Sequence, residues 1–316
     1  MTDKLTAAEV EVIAESCRNW GKWGPDDVLG TLNYVTPEKV VRATSLVRTG
    51  QVVSCALPYD VNGPMNGSYG RNNPILYMMQ DGLDALAGEQ NHAPGLRWAD
   101  DAIHMPLQSG TQWDALSHIF YNDKMYNDLG PELVTSRGAK VHGVENWRDS
   151  FVTRGILLDF PRVLGLDWLE PGHGIGAREI EHAAAELGVE IESGDILLLR
   201  TGHLARGKKN GWGDYAGGDA PGLNLSGAKW VFEHEIAAVA ADTWGLEVRP
   251  NETDEIWQPL HVVLIVNAGM PFGEIFDFDR LSDACAADGK YEFLFVAPPL
   301  PFTGAVGGPL NPVAIK

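Results

Sequence analysis

The stretch QSGTQWDALSH, residues 108–118, brings two amides, an acid and an imidazole within a short distance along the chain. If the stretch is extended, alternate side chains share a face, so Gln108, Gln112, Asp114 and His118 point the same way. Gly110 lies among them, where backbone can come close to another group. A row of oxygen and nitrogen donors on one face is typical of a binding or catalytic site. The alternative is a polar edge strand followed by a turn.

The chain has no linker rich in Pro, Ser or charge, so we expect one large globular domain covering residues 1–316. The chain is 44% hydrophobic and 21% charged, which is the balance of a folded protein rather than a disordered one. Its formal net charge of -19 argues against nucleic acid or an anionic membrane as a partner, because both would repel it. No apolar run has the roughly 18 residues that a membrane span requires.

The cysteines and the amino terminus together predict a cytoplasmic protein. Cys17, Cys55 and Cys285 are far apart and odd in number, and no CxxC occurs, so we expect reduced thiols. The first residues lead into an acidic amphipathic segment rather than an apolar one, so no signal peptide is expected.

The first part of the chain, residues 1–50, combines helices with a tryptophan-containing loop. Thr6 and Glu9 form a capping-box pattern that begins a helix over 6–19, and a second helix is predicted to about residue 48. In the loop between them, Trp23 either fills the edge of the core or forms an aromatic wall for a flat substrate. Residues 58–101 are rich in Gly, Pro and Asn, and a segment of this length predicts a lid or a dimer arm.

Predicted strands and helices alternate through the second half, which indicates the α/β class. The segment PLHVVLIVNA, residues 259–268, is apolar and suits helix or strand, and Pro259 at a first turn favours the helix. The predicted strands cover residues 51–57, 102–114, 155–160, 194–202, 236–243 and 291–297, and the other predicted helices cover 176–187 and 225–234.

His261 and Glu274 are the candidate partners of the opening stretch. A single histidine in an apolar segment is commonly a core residue, but Glu274 follows a turn that can bring both side chains to one end of the helix. With Asp114 they make one imidazole and two carboxylates, a sensible ligand set for a divalent cation that leaves positions for water.

Other familiar catalytic motifs are missing from the sequence. There is no H-E-x-x-H, no G-x-S-x-G, no Walker A motif, and no G-x-G-x-x-G after a strand. His203 follows a predicted strand end, where α/β folds place their sites, although a surface-loop histidine is the equal alternative.

The opening stretch resembles the motif H-x-G-T-H-x-D-x-P-x-H of the metal-dependent cyclase-like hydrolases, a family that includes bacterial kynurenine formamidase and isatin hydrolase. The matching positions are Gly110, Thr111, Asp114 and His118. Both leading histidines are replaced, by Gln108 and Gln112, and the proline is Leu116. Further segments that resemble the family occur in the family's order along the chain, at residues 23–33, 194–202, 221–223, 241–243 and 261–274.

The resemblance implies a fold, an assembly and a set of site residues. The fold would be a swivelling β/β/α-type single domain with a small barrel-like mixed sheet packed by helices, and the assembly a homodimer or homotetramer. One metal site would contain Gln108, Gln112, Asp114 and Glu274, and the other Asp114, His261 and Glu274. His118 would be the proton donor and acceptor, and Trp23 would touch substrate.

The two glutamines change the expected metal content. Glutamine is a neutral oxygen ligand and binds zinc less well than imidazole, so the site that contains Gln108 and Gln112 should lose most of its zinc affinity. We therefore expect one divalent ion, Mn²⁺ or Zn²⁺, at Asp114, His261 and Glu274, with amide oxygens favouring a harder ion.

These observations predict a metal-dependent hydrolase of a small cyclic amide, lactone or formamide-like substrate. Trp23, Gln108, Gln112 and Trp113 are expected to bind the substrate, and His118 to transfer protons. One alternative is a metal-free lyase, isomerase or cyclase that uses His118 and Asp114. A second alternative is a non-catalytic small-molecule binding protein.

Overall fold

The computed structural model describes residues 4–316. Residues 1–3 lie outside the described residues, and with them the start of the segment in which no signal peptide is expected. The helices are α1 (Ala7–Ser16), α2 (Pro37–Thr44), α3 (Gly82–Ala87), α4 (Phe160–Leu164), α5 (Ala177–Leu187), α6 (His203–Asn210), α7 (Leu225–Glu233), α8 (Asp279–Asp288) and a π-helix (His261–Ala268).

Nine of the strands form one mixed sheet. The strands are β1 (Val52–Ser54), β2 (Ile75–Gln80), β3 (Asp100–His104), β4 (Gln112–Asp114), β5 (Val134–Thr135), β6 (Gly138–Ala139), β7 (Val152–Asp159), β8 (Gly174–Ile175), β9 (Ile196–Arg200), β10 (Gly222–Leu223), β11 (Ala238–Ala241), β12 (Phe272–Glu274), β13 (Glu292–Val296), β14 (Gly307–Pro309) and β15 (Val313–Ile315). The order in the nine-stranded sheet is β1-β15-β13-β7-β9-β11-β12-β4-β14.

The centre of the sheet is parallel and deeply buried. Strands β7, β9, β11 and β12 pair in parallel, and the apolar residues of β9, of β11 and of 156–158 in β7 are buried, as expected for strands covered on both faces. The sheet curls into a half-barrel packed by helices, which confirms the α/β class and the single mixed-sheet fold expected from the resemblance.

Local sequence signals place several helices correctly. The Thr6 side chain accepts from Glu9 N while Glu9 accepts from Thr6 N, so the capping box that begins α1 is formed. Helix α2 begins at Pro37 after the Thr36 cap. The apolar segment after Pro259 is a helix, but with the wider π pairing, and it ends at Gly269 in the left-handed conformation.

The predicted strand over residues 102–114 is wrong, because it is two strands separated by a turn. Strand β3 ends at His104 and β4 begins at Gln112, and in between Ser109 N and Oγ both donate to Pro106 O. At Gly110 the backbone passes so close to the Tyr59 ring that a Cβ would lie 2.6 Å from Tyr59 Cε1. The lack of a side chain at Gly110 permits this close contact with Tyr59.

Residues 58–101, which look irregular in sequence, contain ordered elements. Strands β2 and β3 pair as an antiparallel hairpin, and α3 follows β2 with a capping box made by Asp81 and Asp84. Within residues 4–316, no helix combines the length and apolar character that crossing a bilayer requires.

Candidate active site

Strands β4 and β12 bring three polar side chains together at one point of the sheet. The antiparallel register pairs Gln112 with Glu274 and Asp114 with Phe272. Since alternate residues of a strand face opposite sides, Gln112 and Asp114 point to the site and Trp113 points away. All three site side chains are buried, so their polar atoms depend on one another for partners.

Trp113 therefore lies in the core, whereas the sequence predicts that it binds the substrate. Its ring stacks on Phe151 at 4.4 Å between centroids and also packs against Phe276. Its indole N–H donates to Ala297 O at 2.8 Å, which satisfies the only polar atom of the buried side chain.

The π-helix supplies the imidazole of the site. His261 Nε2 lies 3.6 Å from Glu274 Oε1 and 4.0 Å from Asp114 Oδ2. On the other side of the ring, Nδ1 lies 2.6 Å from Glu247 Oε1. An ionised carboxylate only accepts, so Nδ1 carries a proton, and Nε2 is the ring nitrogen that would bind an ion held with the two carboxylates.

Glu247 is the site residue that the sequence analysis missed. It is buried, and besides His261 its Oε2 accepts from Asn251 Nδ2 at 3.0 Å and from Leu260 N at 3.3 Å. Burial alone would lower the pKa of His261, but the hydrogen bond to Glu247 and the negative charges of Glu247 and Glu274 raise it to about 10. No local pattern links this acid to a histidine in the next element, so only the folded structure identifies it.

Asp114, His261 and Glu274 meet the requirements for one divalent ion. Each offers a ligand atom, and these atoms all lie within 4.8 Å of one another. Asp114 Oδ1 is buried without a hydrogen-bond partner among residues 4–316, which is costly for a carboxylate unless a ligand binds there. Burial and the charge of Asp114 raise the pKa of Glu274, as expected when two carboxylates share a site without a cation between them.

Of the two glutamines of the opening stretch, Gln112 forms a hydrogen bond with a carboxylate of the site. Gln112 Nε2 donates to Glu274 Oε2 at 2.7 Å, so the amide approaches this carboxylate through its nitrogen. Gln112 Oε1 and Gln108 Nε2 are both buried without a partner in the described part of the chain. Gly307 leaves room for them, because a Cβ there would lie 2.7 Å from Gln108 Nε2 and 3.2 Å from Gln112 Oε1.

His118 lies in the turn after β4, beside the carboxylate of the same stretch. Its Nε2 is 3.7 Å from Asp114 Oδ1, which is beyond hydrogen-bond distance. Burial lowers the pKa of His118, the positive charge of Arg71 lowers it further, and Asp114 opposes this. The imidazole is therefore neutral at pH 7 and can accept a proton.

A cavity of about 220 Å³ joins these groups to an aromatic wall. Asp114, His118, His261 and Glu274 line one side of it. The remaining lining residues are Tyr69, Arg71, Ile119, Trp244, Trp257 and Gln258. Tyr69 stacks on Trp244 at 5.3 Å, and the Arg71 guanidinium lies 5.6 Å from the centre of the Trp244 ring. The wall suits a flat substrate, and Arg71 adds a positive charge at its edge.

Two other residues considered from sequence lie outside this lining. Trp23 packs edge-on against Tyr34, with 5.1 Å between the ring centroids, and is not among the residues that line this cavity. His203 is buried against Tyr215 and faces a different cavity.

The chain was compared with protein families and solved structures. It matches the family model Cyclase, described as "Putative cyclase", over residues 38–248. A solved structure described as a novel cyclase is 38% identical, with a TM-score of 0.87 over 96% of this chain and 99% of that one. No curated protein matches the chain.

More distant solved structures share the fold. Isatin hydrolase A from Labrenzia aggregata, bound to benzyl benzoate, is 19% identical with a TM-score of 0.59, over 88% of this chain and 97% of its own. A structure described as a predicted metal-dependent hydrolase from Bacillus stearothermophilus is 17% identical with a TM-score of 0.54, over 84% of this chain and 97% of its own.

Proposed function

Because the chain belongs to the cyclase family, whose fold is related to metal-dependent hydrolases such as isatin hydrolase, we propose that it is a metal-dependent hydrolase of a small substrate. The bond cleaved would be the C–N bond of a cyclic amide or formamide, or the ester bond of a lactone. One observation carries this proposal: a buried Asp114, His261 and Glu274 group opens into the same cavity as a neutral His118.

Asp114, His261 and Glu274 would hold one ion, Mn²⁺ or Zn²⁺. A divalent ion bound there polarises a carbonyl and lowers the pKa of a bound water. Two carboxylates and one imidazole make a donor set with more oxygen than nitrogen, which favours Mn²⁺. Glu247 fixes the ring of His261 so that Nε2 faces this group.

His118 would move the proton in the reaction. The neutral imidazole takes a proton from the attacking water and delivers it to the leaving nitrogen or oxygen. Its place on the cavity wall, with Nε2 close to Asp114 but not bonded to it, leaves that nitrogen available to a bound molecule. Asp114 would then stabilise the imidazolium that forms.

The cavity wall defines the substrate class. Tyr69, Trp244 and Trp257 favour a flat, aromatic or unsaturated ring, and Arg71 favours a carbonyl or carboxylate oxygen. The volume of about 220 Å³ limits the part of the substrate that is enclosed to a small ring system. The likeness to isatin hydrolase supports a cyclic amide among these substrates.

Metal content and turnover test the proposal together. Protein purified without chelator should contain one Mn²⁺ or Zn²⁺ per chain by elemental analysis, and should hydrolyse members of a panel of aryl cyclic amides, lactones and N-formyl amines. Removal of the ion with EDTA should abolish turnover, and Mn²⁺ should restore it. Full hydrolase activity in protein shown by elemental analysis to be metal-free would refute the mechanism.

A second candidate is a metal-free lyase, isomerase or cyclase that uses His118 and Asp114. The observation that favours it is the Gln112 Nε2 contact with Glu274, which places a hydrogen-bond donor where a ligand to a second ion would otherwise lie. The paired substitution Gln108→His and Gln112→His separates the candidates. A gain in bound metal with loss of turnover supports metal-free chemistry, whereas turnover retained or raised with the added metal supports the hydrolase.

We also place the protein in the cytoplasm. Cys17, Cys55 and Cys285 are buried and unpaired, and burial raises the pKa of each thiol, which keeps them unreactive. Three free thiols are typical of a reducing compartment. Thiol labelling in denaturant, with and without prior reduction, should count three cysteines in both samples.

A further inference from the structure

A second cavity, of about 390 Å³, lies between helix α6 and residues 211–219, which follow that helix; we name it the α6 cavity. Among residues 4–316, it shares no lining residue with the active-site cavity, whose volume is about 220 Å³. The proposed hydrolase mechanism uses none of the groups that border it. The α6 cavity is therefore a place where a second small molecule can bind without entering the active site.

His203 is the buried polar residue that borders the α6 cavity. It is 6% exposed, and both ring nitrogens are buried without a hydrogen-bond partner among residues 4–316. Buried polar groups are normally paired, and a neutral imidazole has one N–H donor and one acceptor nitrogen to pair. Burial lowers the pKa of His203 to about 4, so the ring is neutral at pH 7 and offers both. A molecule bound in the cavity can supply the missing partners.

Aromatic rings form one wall of the α6 cavity, and the protein holds them in place. The Tyr215 ring stacks on His203 with 5.0 Å between the ring centroids, and its hydroxyl donates to Asp242 O at 3.0 Å. The Trp212 ring packs edge-on against Tyr215, and its Nε1 donates to Asn62 O at 2.7 Å. Because both side chains satisfy their polar atoms within the protein, their rings are available to contact an apolar or aromatic group of a ligand.

Charges of both signs border the same cavity. Arg206 Nη1 lies 3.3 Å from Glu170 Oε2 without forming a hydrogen bond, and the Glu170 side chain is 72% exposed. An exposed ion pair of this kind contributes little stability, so a bound carboxylate can replace Glu170 as the partner of Arg206. Asp214 and Asp219 form no ion pair within the described part of the chain, so each can accept a cation.

We propose that the α6 cavity binds a free α-amino acid with an aromatic or large apolar side chain. Arg206 and the N–H of His203 bind its carboxylate. Asp214 and Asp219 bind its ammonium group, and Trp212 contacts its side chain. A simple carboxylate would leave the two aspartates without a cation, and a simple amine would leave Arg206 and His203 without an acceptor. The proposal does not depend on the reaction that the chain catalyses, so failure of one does not entail failure of the other.

Titration calorimetry with L-phenylalanine tests the proposal, and phenylacetate and phenethylamine are the matched ligands that carry only one of the two charges. The wild-type chain should bind one L-phenylalanine per chain. Each ligand with a single charge should bind about tenfold more weakly or not at all, because it loses the hydrogen bonds of one charged group.

Two substitutions in the α6 cavity and one in the active site locate the binding. His203→Phe keeps a ring beside Tyr215 but removes both nitrogens, and it should raise the Kd for L-phenylalanine about tenfold or more. Arg206→Gln removes the positive charge and should have an effect of the same size. Arg71→Gln removes the positive charge that borders the active-site cavity, and it should leave this Kd unchanged.

His234→Phe and Arg148→Gln are the matched controls. His234 stacks on Trp230 with 3.7 Å between the ring centroids, Arg148 pairs with Asp149, and neither borders the α6 cavity. Both controls should bind L-phenylalanine with the wild-type Kd. Circular dichroism spectra like that of the wild type show that the variants are folded.

The Arg206 side chain is 34% exposed, so Arg206→Gln decides the outcome even if His203→Phe does not fold. Three results would overturn the proposal. They are a wild-type Kd for L-phenylalanine above about 10 mM, a Kd for phenylacetate or phenethylamine equal to that for L-phenylalanine, and binding that Arg71→Gln weakens while Arg206→Gln does not.

Discussion

Glu247→Gln tests whether the buried carboxylate behind His261 prepares the metal site. In the native protein one oxygen accepts from His261 Nδ1 at 2.6 Å while the other accepts from Asn251 Nδ2 and Leu260 N. A glutamine amide has one acceptor oxygen. If the amide oxygen faces His261, the NH₂ group faces the two donors Asn251 Nδ2 and Leu260 N. If the amide oxygen faces those donors, the NH₂ group faces the Nδ1–H of His261. Either orientation loses at least one hydrogen bond and the negative charge.

The expected effect is a weaker metal site with an unchanged set of ligands. A hydrogen bond to a charged group contributes about 1.5–3 kcal/mol, and outer partners of a metal-bound histidine typically change metal affinity 10–100-fold. These ranges agree, since a tenfold change is about 1.4 kcal/mol. Titration calorimetry of Mn²⁺ into chelator-treated protein should show a Kd raised by about 10–100-fold with one site per chain.

Glu252→Gln is the matched control for this substitution. Glu252 is a half-buried carboxylate in the same part of the chain; it accepts from Leu225 N at 2.6 Å and forms no hydrogen bond with His261. The Glu252→Gln variant should therefore bind Mn²⁺ with the wild-type Kd. If Glu247→Gln folds normally and binds Mn²⁺ as tightly as this control, Glu247 has no positioning role and the reasoning is refuted.

Three further substitutions give distinct readouts. His118→Asn should lower kcat by about 10²–10⁴-fold in the hydrolase assay and leave the Kd for Mn²⁺ unchanged, and a parallel loss of metal would contradict a purely proton-transfer role. His203→Phe should remove a pH dependence of stability. Burial lowers the pKa of His203 to about 4, so the folded state favours the neutral ring. The stability that this ring contributes above about pH 6.5 is therefore lost as the pH falls toward 4. Urea unfolding at both pH values should show the wild type losing about 3 kcal/mol more than the variant, and equal losses would rule out this group. Gly307→Ala should destabilise the fold by about 1–3 kcal/mol in the same unfolding assay, because the added Cβ meets the amides of Gln108 and Gln112 and the backbone of β4; an unchanged midpoint would show that these amides move freely.

Signals that act over a few residues made most of the fold predictable. The capping pair Thr6 and Glu9, Pro37 after Thr36, and the buried apolar runs of β9 and β11 each specify an element without help from the rest of the chain. The family prediction is confirmed, and it supplied the fold that these elements build.

The features that the sequence did not predict have separate physical causes. The strand predicted over residues 102–114 is interrupted, because Ser109 N and Oγ both donate to Pro106 O in a turn between β3 and β4. The hairpin of β2 and β3 is hidden in a Gly-rich and Asn-rich segment, because its apolar residues have no alternation with polar ones. Trp113 was assigned to the pocket from its position in the motif, although the alternation that sends Asp114 to the site sends Trp113 to the core.

The charges buried at the site explain why a cation is expected there. Asp114, Glu247 and Glu274 surround the ring of His261, and all four side chains are inaccessible. Without a cation the site reduces its negative charge through protons: Glu274 has a raised pKa because of burial and Asp114, and His261 has a raised pKa because of Glu247 and Glu274.

A bound ion would displace those protons, since carboxylate and imidazole ligands bind metals in their deprotonated forms. The Gln112 amide that donates to Glu274 does not change with pH, so it stabilises the carboxylate with or without an ion. Gln112 therefore keeps Glu274 in position for an ion held by Asp114, His261 and Glu274. By this argument Asp114 Oδ1, buried and without a partner among the described residues, is the atom whose desolvation a bound cation would offset.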